Sequence, residues 1–302
     1  MTIAFIHSFQ SFLPGIRAYI DFFSKYGIQT NEYHPDQYAT IRADVAWHFM
    51  GIERRRRKEM VTVHEYASAS IPPASRWKDQ IKRWVNGRPD YRIFNNEYVH
   101  KQFNFHDGVP SGIRDHGIPL LKKDTEEKKE FDFIYVGTVD QSRKLDALFR
   151  QFSKEDLKEK TLLVLSKNYD LVAKKFSGVR NIYFKGPVDT GEVFRLIRKS
   201  RYGINYIPDV LPFNQQTSAK FLDYVACGIP VITTDYAWIR QFRQRRGGNF
   251  FFVDKNLEHL TWSEISTFNY ADPNVEGLDW NSRIRESGVL EFLQSKFPGL
   301  NF

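Results

Sequence analysis

Short apolar runs alternate with longer amphipathic stretches along most of this chain. The runs at 2–6 (TIAFI), 28–33, 44–48, 60–64 (MVTVH) and 91–95 (YRIFN) predict buried strands. Between them, helices are predicted near 15–25, after a loop carrying Pro14 and Gly15, and over 96–103. Strands that alternate with helices predict a parallel sheet covered on both faces. The pattern breaks at 121–130, LKKDTEEKKE, where every residue after Leu121 is polar or charged. That segment reads as a linker.

A second alternating series follows. Strands are predicted at 131–136 (FDFIYV), 161–165 (TLLVL), 181–184 (NIYF), 202–206 (YGINY), 230–233 (PVIT) and 249–253 (NFFFV). Helices are predicted over 142–153, 168–176, 189–199, 216–226 and 236–243. Six strands with five intervening helices fit a complete doubly wound domain. The expected layout is a first domain over 1–120, the linker, a second domain over 131–279 and a helical tail over 280–302. The tail carries Ile284, Val289, Leu290, Leu293 and Phe297, and is expected to pack back toward the first domain. Two such domains facing across a cleft would bury a ligand between them.

With 302 residues and an aromatic share of 16%, the chain has enough apolar material for two cores. Its single cysteine, Cys227, excludes an intramolecular disulfide and fits a reducing compartment. The start, MTIAFIHSF, has no basic region and no long apolar run, so no signal peptide is expected. No apolar run approaches the length of a membrane span. A cytoplasmic protein is expected, at most held to the inner face of a membrane by its surface.

Charge adds a regional feature. The net charge is +8, and residues 51–92 hold eleven Lys and Arg against five Asp and Glu. Such a patch attracts phosphates, nucleic acid or an anionic leaflet. No nucleic-acid module is recognisable, so nucleic acid is not an expected partner. Residues 74–85, ASRWKDQIKRWV, predict a helix with Trp77, Ile81, Trp84 and Val85 on one stripe, flanked by Arg76, Lys78, Lys82 and Arg83. An apolar stripe of this kind fits an interfacial helix on an anionic bilayer, and equally a helix packed on its own domain.

Candidate chemistry concentrates at 215–235, QQTSAKFLDYVACGIPVITTD. It reads as a polar loop, a helix, a turn at Gly228 and a buried strand entered through Pro230. Lys220 falls in the first helical turn, beside backbone N–H groups that have no partner within the helix. A diphosphate there would gain a cation and several donors. Asp223 shares the helix face one turn on and suits ribose hydroxyls; the alternative is an i,i+3 pair with Lys220 on a solvated face. Gly137 permits a close turn after the 131–136 strand, and Arg143 and Lys144 are expected to open the next helix. His64 is expected at a strand end facing the crevice, where it could bond a sugar hydroxyl or simply pack. Glu65 is a candidate base pointing to the opposite face. The first turn, HSFQSFLPG, is no dinucleotide loop, and no metal-ligand spacing is present.

SAKFLDYVACGIPVITTD at 218–235 and FIYVGTVDQSRKLDAL at 133–148 resemble glycosyltransferases of the two-domain GT-B fold. In pattern they are similar to the retaining family-4 type of bacterial glycoconjugate biosynthesis. The resemblance implies an α/β chain of two Rossmann-like domains. It implies transfer of a sugar from a nucleoside-diphosphate sugar to a hydroxyl of a glycan or lipid-linked glycan, without metal or further cofactor. Gln215 and Asp223 fall at the family's two acidic positions, and Gln215 cannot carry the usual charge. Arg143 fits the diphosphate lysine, while Thr138 stands where an arginine commonly follows the glycine. Gly137, Thr217 and Ser218 would line the donor site, Gly15 would match the glycine of the first donor loop, and His64 the donor-contacting histidine. Lys220 would supply charge at the phosphates. A sugar-nucleotide epimerase of the same architecture and a non-catalytic sugar-nucleotide-binding protein remain open.

Overall fold

In the computed structural model the chain divides into two compact units, Met1–Gly117 with Gly277–Phe302, and Ile118–Glu276. The structure describes all residues except 11–12, 71–73, 122–126, 155 and 255, and the side chain of Arg76. Most of the expected linker therefore lies outside the described residues. Its end does not: Lys129 Nζ donates to the Arg198 carbonyl at 2.7 Å, and Glu130 N to the Lys199 carbonyl at 2.7 Å. The end of the charged run is thus bonded into the second unit.

The first unit runs β1 (Thr2–Ile6), α1 (Pro14–Ser24), β2 (Gln29–Tyr33), β3 (Val45–Phe49), β4 (Val61–Tyr66), α2 (Ser75–Val85), β5 (Tyr91–Phe94), α3 (Glu97–Phe103) and β6 (Ser111–Ile113). The second continues β7 (Phe131–Val136), α4 (Asp146–Gln151), β8 (Leu162–Leu165), α5 (Asp170–Lys175), β9 (Ile182–Lys185), α6 (Thr190–Arg198), β10 (Ser200–Asn205), α7 (Ala219–Ala226), β11 (Val231–Thr234), α8 (Ala237–Arg246), β12 (Phe251–Val253) and α9 (Trp262–Thr267). The tail forms two helices rather than one, α10 (Trp280–Glu286) and α11 (Val289–Lys296). They are separated at Gly288, whose φ of 69° no helix interior accommodates.

Both sheets are parallel and six-stranded. The first has the order β2-β1-β3-β4-β5-β6 and the second β12-β11-β10-β7-β8-β9. The second order is that of the dinucleotide-binding fold, with its switch point between β7 and β10. The first follows the other common doubly wound order, with a further strand at the edge.

One face of the first sheet carries an aromatic core of Phe5, Tyr19, Phe23 and Trp47. Ile284, Val289, Leu290 and Leu293 of the tail belong to that core. Tyr91 Oη donates to the Ser287 carbonyl at 2.7 Å, and a Cβ at Gly112 would overlap that same oxygen, so the tail lies directly on β5 and β6.

Candidate functional site

The decisive geometry lies at the switch point of the second sheet. The register of β7 with β10 runs from Phe131↔Ser200 to Ile134↔Gly203 and stops there. Tyr224 of α7 occupies the place where the strands part. Its hydroxyl accepts from Val136 N at 3.0 Å and lies 3.4 Å from the Ile134 carbonyl and 3.3 Å from that of Ile204. Only a glycine at 203 leaves room, because a Cβ there would run into the Tyr224 ring. Tyr224 thereby fixes α7 across the opening.

The start of α7 is fixed separately. Ser218 is its N-cap and accepts from Phe221 N at 3.4 Å. The Ser218 hydroxyl donates to Asn205 Oδ1 at 2.7 Å, and the Asn205 amide donates to Thr233 Oγ1 at 2.9 Å and to Tyr236 Oη at 3.0 Å. Ser218 is buried in this network. It positions the helix. The helix ends as expected, with Gly228 at φ 65°.

With both ends held, Lys220 reaches back over the turn that follows β7. Gly137 has φ 133°, and a Cβ on it would stand 3.3 Å from Lys220 Cε. The ammonium donates to Tyr135 Oη at 3.2 Å and lies 4.5 Å from that ring's centroid. Tyr135 Oη in turn donates to the Thr138 carbonyl at 3.0 Å. Burial, and then the nearby Arg143 charge, lower the Lys220 pKa to about 7.

Arg143 does not open an α-helix. It ends a single 3-10 turn, Gln141–Arg143, capped by Asp140; Lys144 then turns left-handed at φ 53°, and α4 begins only at Asp146. The Arg143 guanidinium lies 4.2 Å from the Phe213 ring centroid. Among the described residues neither Arg143 nor Lys220 has a carboxylate partner. Two cations therefore stand close together, held by aromatic rings and not by counter-charges.

Asp223 is half-buried and forms no ion pair with Lys220, so the solvated i,i+3 pair is not present. Burial raises its carboxyl pKa to about 7. Gln215 and Thr217 lie in the loop before α7, and the buried Gln216 Nε2 of that loop has no partner among the described residues. Among the described residues, no group of three His, Cys, Asp or Glu side chains is placed to hold a metal ion.

Two expected residues belong to the first unit. His64 does not end its strand. It sits two residues inside β4, is 1% exposed, and its Nδ1 has no partner. Burial, and then the charges of His48, Arg92 and Arg56, hold its pKa well below the usual range, so it is a neutral packed group. Gly15 is not in a loop. It is the second residue of α1, and a Cβ there would stand 2.8 Å from Arg114 Nη2. Its missing side chain makes room for Arg114. Arg114 is buried and ion-paired with Glu65, which also accepts from Trp47 Nε1 at 3.0 Å. Glu65 points away from His64, as strand alternation requires, but it is a structural counter-ion.

Sequence reasoning missed Tyr135, Asn205, Phe213 and Tyr224. One signal was available: the glycine inside YGINY marks a close approach to a strand.

No family model matches the chain, and no curated protein matches it by sequence. Solved structures do. Sucrose-phosphate synthase from Thermosynechococcus elongatus superposes with a TM-score of 0.69 at 10% identity, over 99% of both chains. AviGT4, a glycosyltransferase involved in avilamycin A biosynthesis, gives 0.56 at 10% identity, over 99% of this chain and 96% of its own. The lipopolysaccharide outer core galactosyltransferase WaaB gives 0.54 at 12% identity, over 99% of this chain and 100% of its own. The fold is GT-B. At such identities the likeness concerns architecture; it says nothing of which sugar or acceptor is used.

Proposed function

We propose that this protein is a glycosyltransferase that moves a sugar from a nucleoside-diphosphate sugar to a hydroxyl of a glycan or lipid-linked glycan, with retention of anomeric configuration. The observation that carries this reading is the pair Lys220 and Arg143, without carboxylate partners at the switch point of the second sheet. Two adjacent cations repel each other, and a bound diphosphate relieves that repulsion. The N-terminus of α7 adds backbone donors.

In the proposed reaction the bond from the anomeric carbon to the diphosphate oxygen breaks, and a bond to the acceptor oxygen forms on the same face. The acceptor proton passes to the leaving diphosphate. Charge grows on that leaving group in the transition state, where Lys220 and Arg143 stabilise it. Asp223, deeper on α7, would accept from ribose hydroxyls. No metal or further cofactor is part of this proposal, because the two side chains supply the positive charge.

A calorimetric screen of UDP, GDP and dTDP sugars tests it. One nucleotide should bind, its sugar should be transferred, and prolonged EDTA treatment should leave activity intact. A folded protein that binds none of them overturns the proposal. Conversion of the donor alone, with no acceptor consumed, identifies an epimerase instead.

A further inference from the structure

The helix α2 is mounted inside out. Trp77 is 75% exposed, Ile81 51% and Trp84 81%, while Asp79 on the opposite face is 1% exposed. The Asp79 carboxylate faces the protein and accepts from Ser70 N at 3.0 Å. An amphipathic helix in water ordinarily does the reverse, since each large apolar side chain left in solvent forgoes about 1.5–3 kcal/mol of burial. Among the described residues no long helix is apolar enough to cross a membrane, so the exposed stripe is not part of a span.

The surface continues beyond the helix. Asn86, the C-cap of α2, accepts through Oδ1 from Glu53 N at 3.0 Å, and Gly87 N donates to the Glu53 carbonyl at 2.8 Å. These bonds fix the 51–58 loop beside the helix end. Ile52, next to Glu53, is 58% exposed, and Arg54 is exposed without a side-chain partner among the described residues. Lys78 is exposed beside the stripe, and Lys82 and Arg83 are half-exposed further round the helix, on either side of Asp79.

We propose that α2 and the 51–58 loop dock this protein on an anionic lipid bilayer. Trp77, Ile81, Trp84 and Ile52 would enter the headgroup boundary, with Arg54, Lys78, Lys82 and Arg83 at headgroup level. Charge selects this occupant. A second copy would bring the same basic residues against each other, and like charges across an interface are unfavourable. A bilayer surface of opposite sign removes that conflict and accepts exposed tryptophan at its polar boundary. Attachment of this kind is reversible and weakens with salt.

The test is co-sedimentation of the full chain with vesicles of pure phosphatidylcholine and with vesicles containing phosphatidylglycerol. No nucleotide sugar is present, so the result is independent of the transferase proposal. Wild-type protein should bind the anionic vesicles at low salt and release at high salt. Trp77→Ser with Trp84→Ser should lower binding about tenfold or more, with an unchanged melting temperature. Lys78→Gln, Lys82→Gln and Arg83→Gln should each lower it about fivefold. Failure of wild-type protein to bind anionic vesicles, or equal binding to both vesicle types, overturns the proposal. So does a double tryptophan variant that binds normally or melts several degrees lower. A wild-type dimer that this double variant dissociates assigns the stripe to a second copy. Displacement of the protein from vesicles by a single-stranded oligonucleotide, with retained tryptophan dependence, assigns it to nucleic acid.

Discussion

The two units are both parallel doubly wound sheets, yet they place their polar groups in opposite ways. The first buries them in the middle of its sheet. Arg114 and Glu65 form an ion pair there with Tyr19 and Trp47 around it, and His48 and His64 sit side by side in adjacent strands. Each of these groups is matched by a partner or kept neutral by burial. The second unit closes its buried polar groups, Asn205, Thr233 and Tyr236, on one another, and carries Lys220, Arg143 and Asp223 on or beside α7, which crosses the gap between β7 and β10. Among the described residues Lys220 and Arg143 have no carboxylate partner there. A charged group deep in a sheet must be paired by the protein or held neutral there. At the diverging strand ends a group left unsatisfied can be completed by a ligand.

The comparison breaks most severely at Glu65. Glu65→Gln leaves Arg114 buried without its counter-ion, and removing one partner of a buried pair costs about 3–5 kcal/mol. Denaturant unfolding should show that loss. A stability unchanged from wild type would mean that the pair is not closed off from water. Lys220→Ala and Arg143→Ala should do the reverse. Turnover should fall by an amount equivalent to about 2–4 kcal/mol, by analogy with losing an oxyanion donor. Stability should hold, since neither cation gives up a carboxylate. Loss of folding with normal activity in the survivors would place these residues among structural groups like Arg114.

Tyr224→Phe probes the boundary between the two behaviours. It leaves Val136 N without its acceptor, at a cost of about 1–3 kcal/mol. It should also loosen α7, so donor affinity should fall along with thermal stability. A drop in stability with unaltered donor affinity would separate the hydroxyl from the site.

Proton linkage gives the finest discrimination, because the two units have opposite signs. Burial lowers the His48 pKa to about 4 and the His116 pKa to about 3. The unfolded chain binds these protons first, so the first unit loses stability as pH falls below about 6.5. Asp223 is raised to about 7, so the native state holds its proton longer and stability falls as pH rises from about 4 to 7. Thermal unfolding between pH 4 and 6.5 should therefore steepen with pH in Asp223→Asn and flatten in His48→Gln. In the same series, KM for the donor should rise as pH passes upward through about 7, where Lys220 loses its proton. Lys220→Arg should remove that dependence.

What the sequence by itself determined is local. Apolar runs placed nearly every strand within a residue or two, because burial and strand geometry act over a few neighbouring positions. The same holds for Lys220 in the first turn of α7, for the glycine stop at Gly228 and for the close turn at Gly137. The short strand β6 and the helix α9 escaped this reading, since neither carries a long enough pattern.

Tertiary structure decided everything that depends on a distant neighbour. Glu65 and Arg114 are 49 residues apart, and no pattern in either segment announces their pairing. His64 looked like a strand-end ligand until the extra turnless stretch to Tyr66 carried it into the sheet. Gly15 proved to be room for a guanidinium. The stripe on α2 read equally well as core or as surface, because periodicity reports that a helix has two faces without saying which one the rest of the chain covers. Lys220 was legible as a cation near a helix start; that it stands beside Arg143 without an anion follows only from the way Tyr224, wedged against Gly203, holds α7 across the gap between β7 and β10.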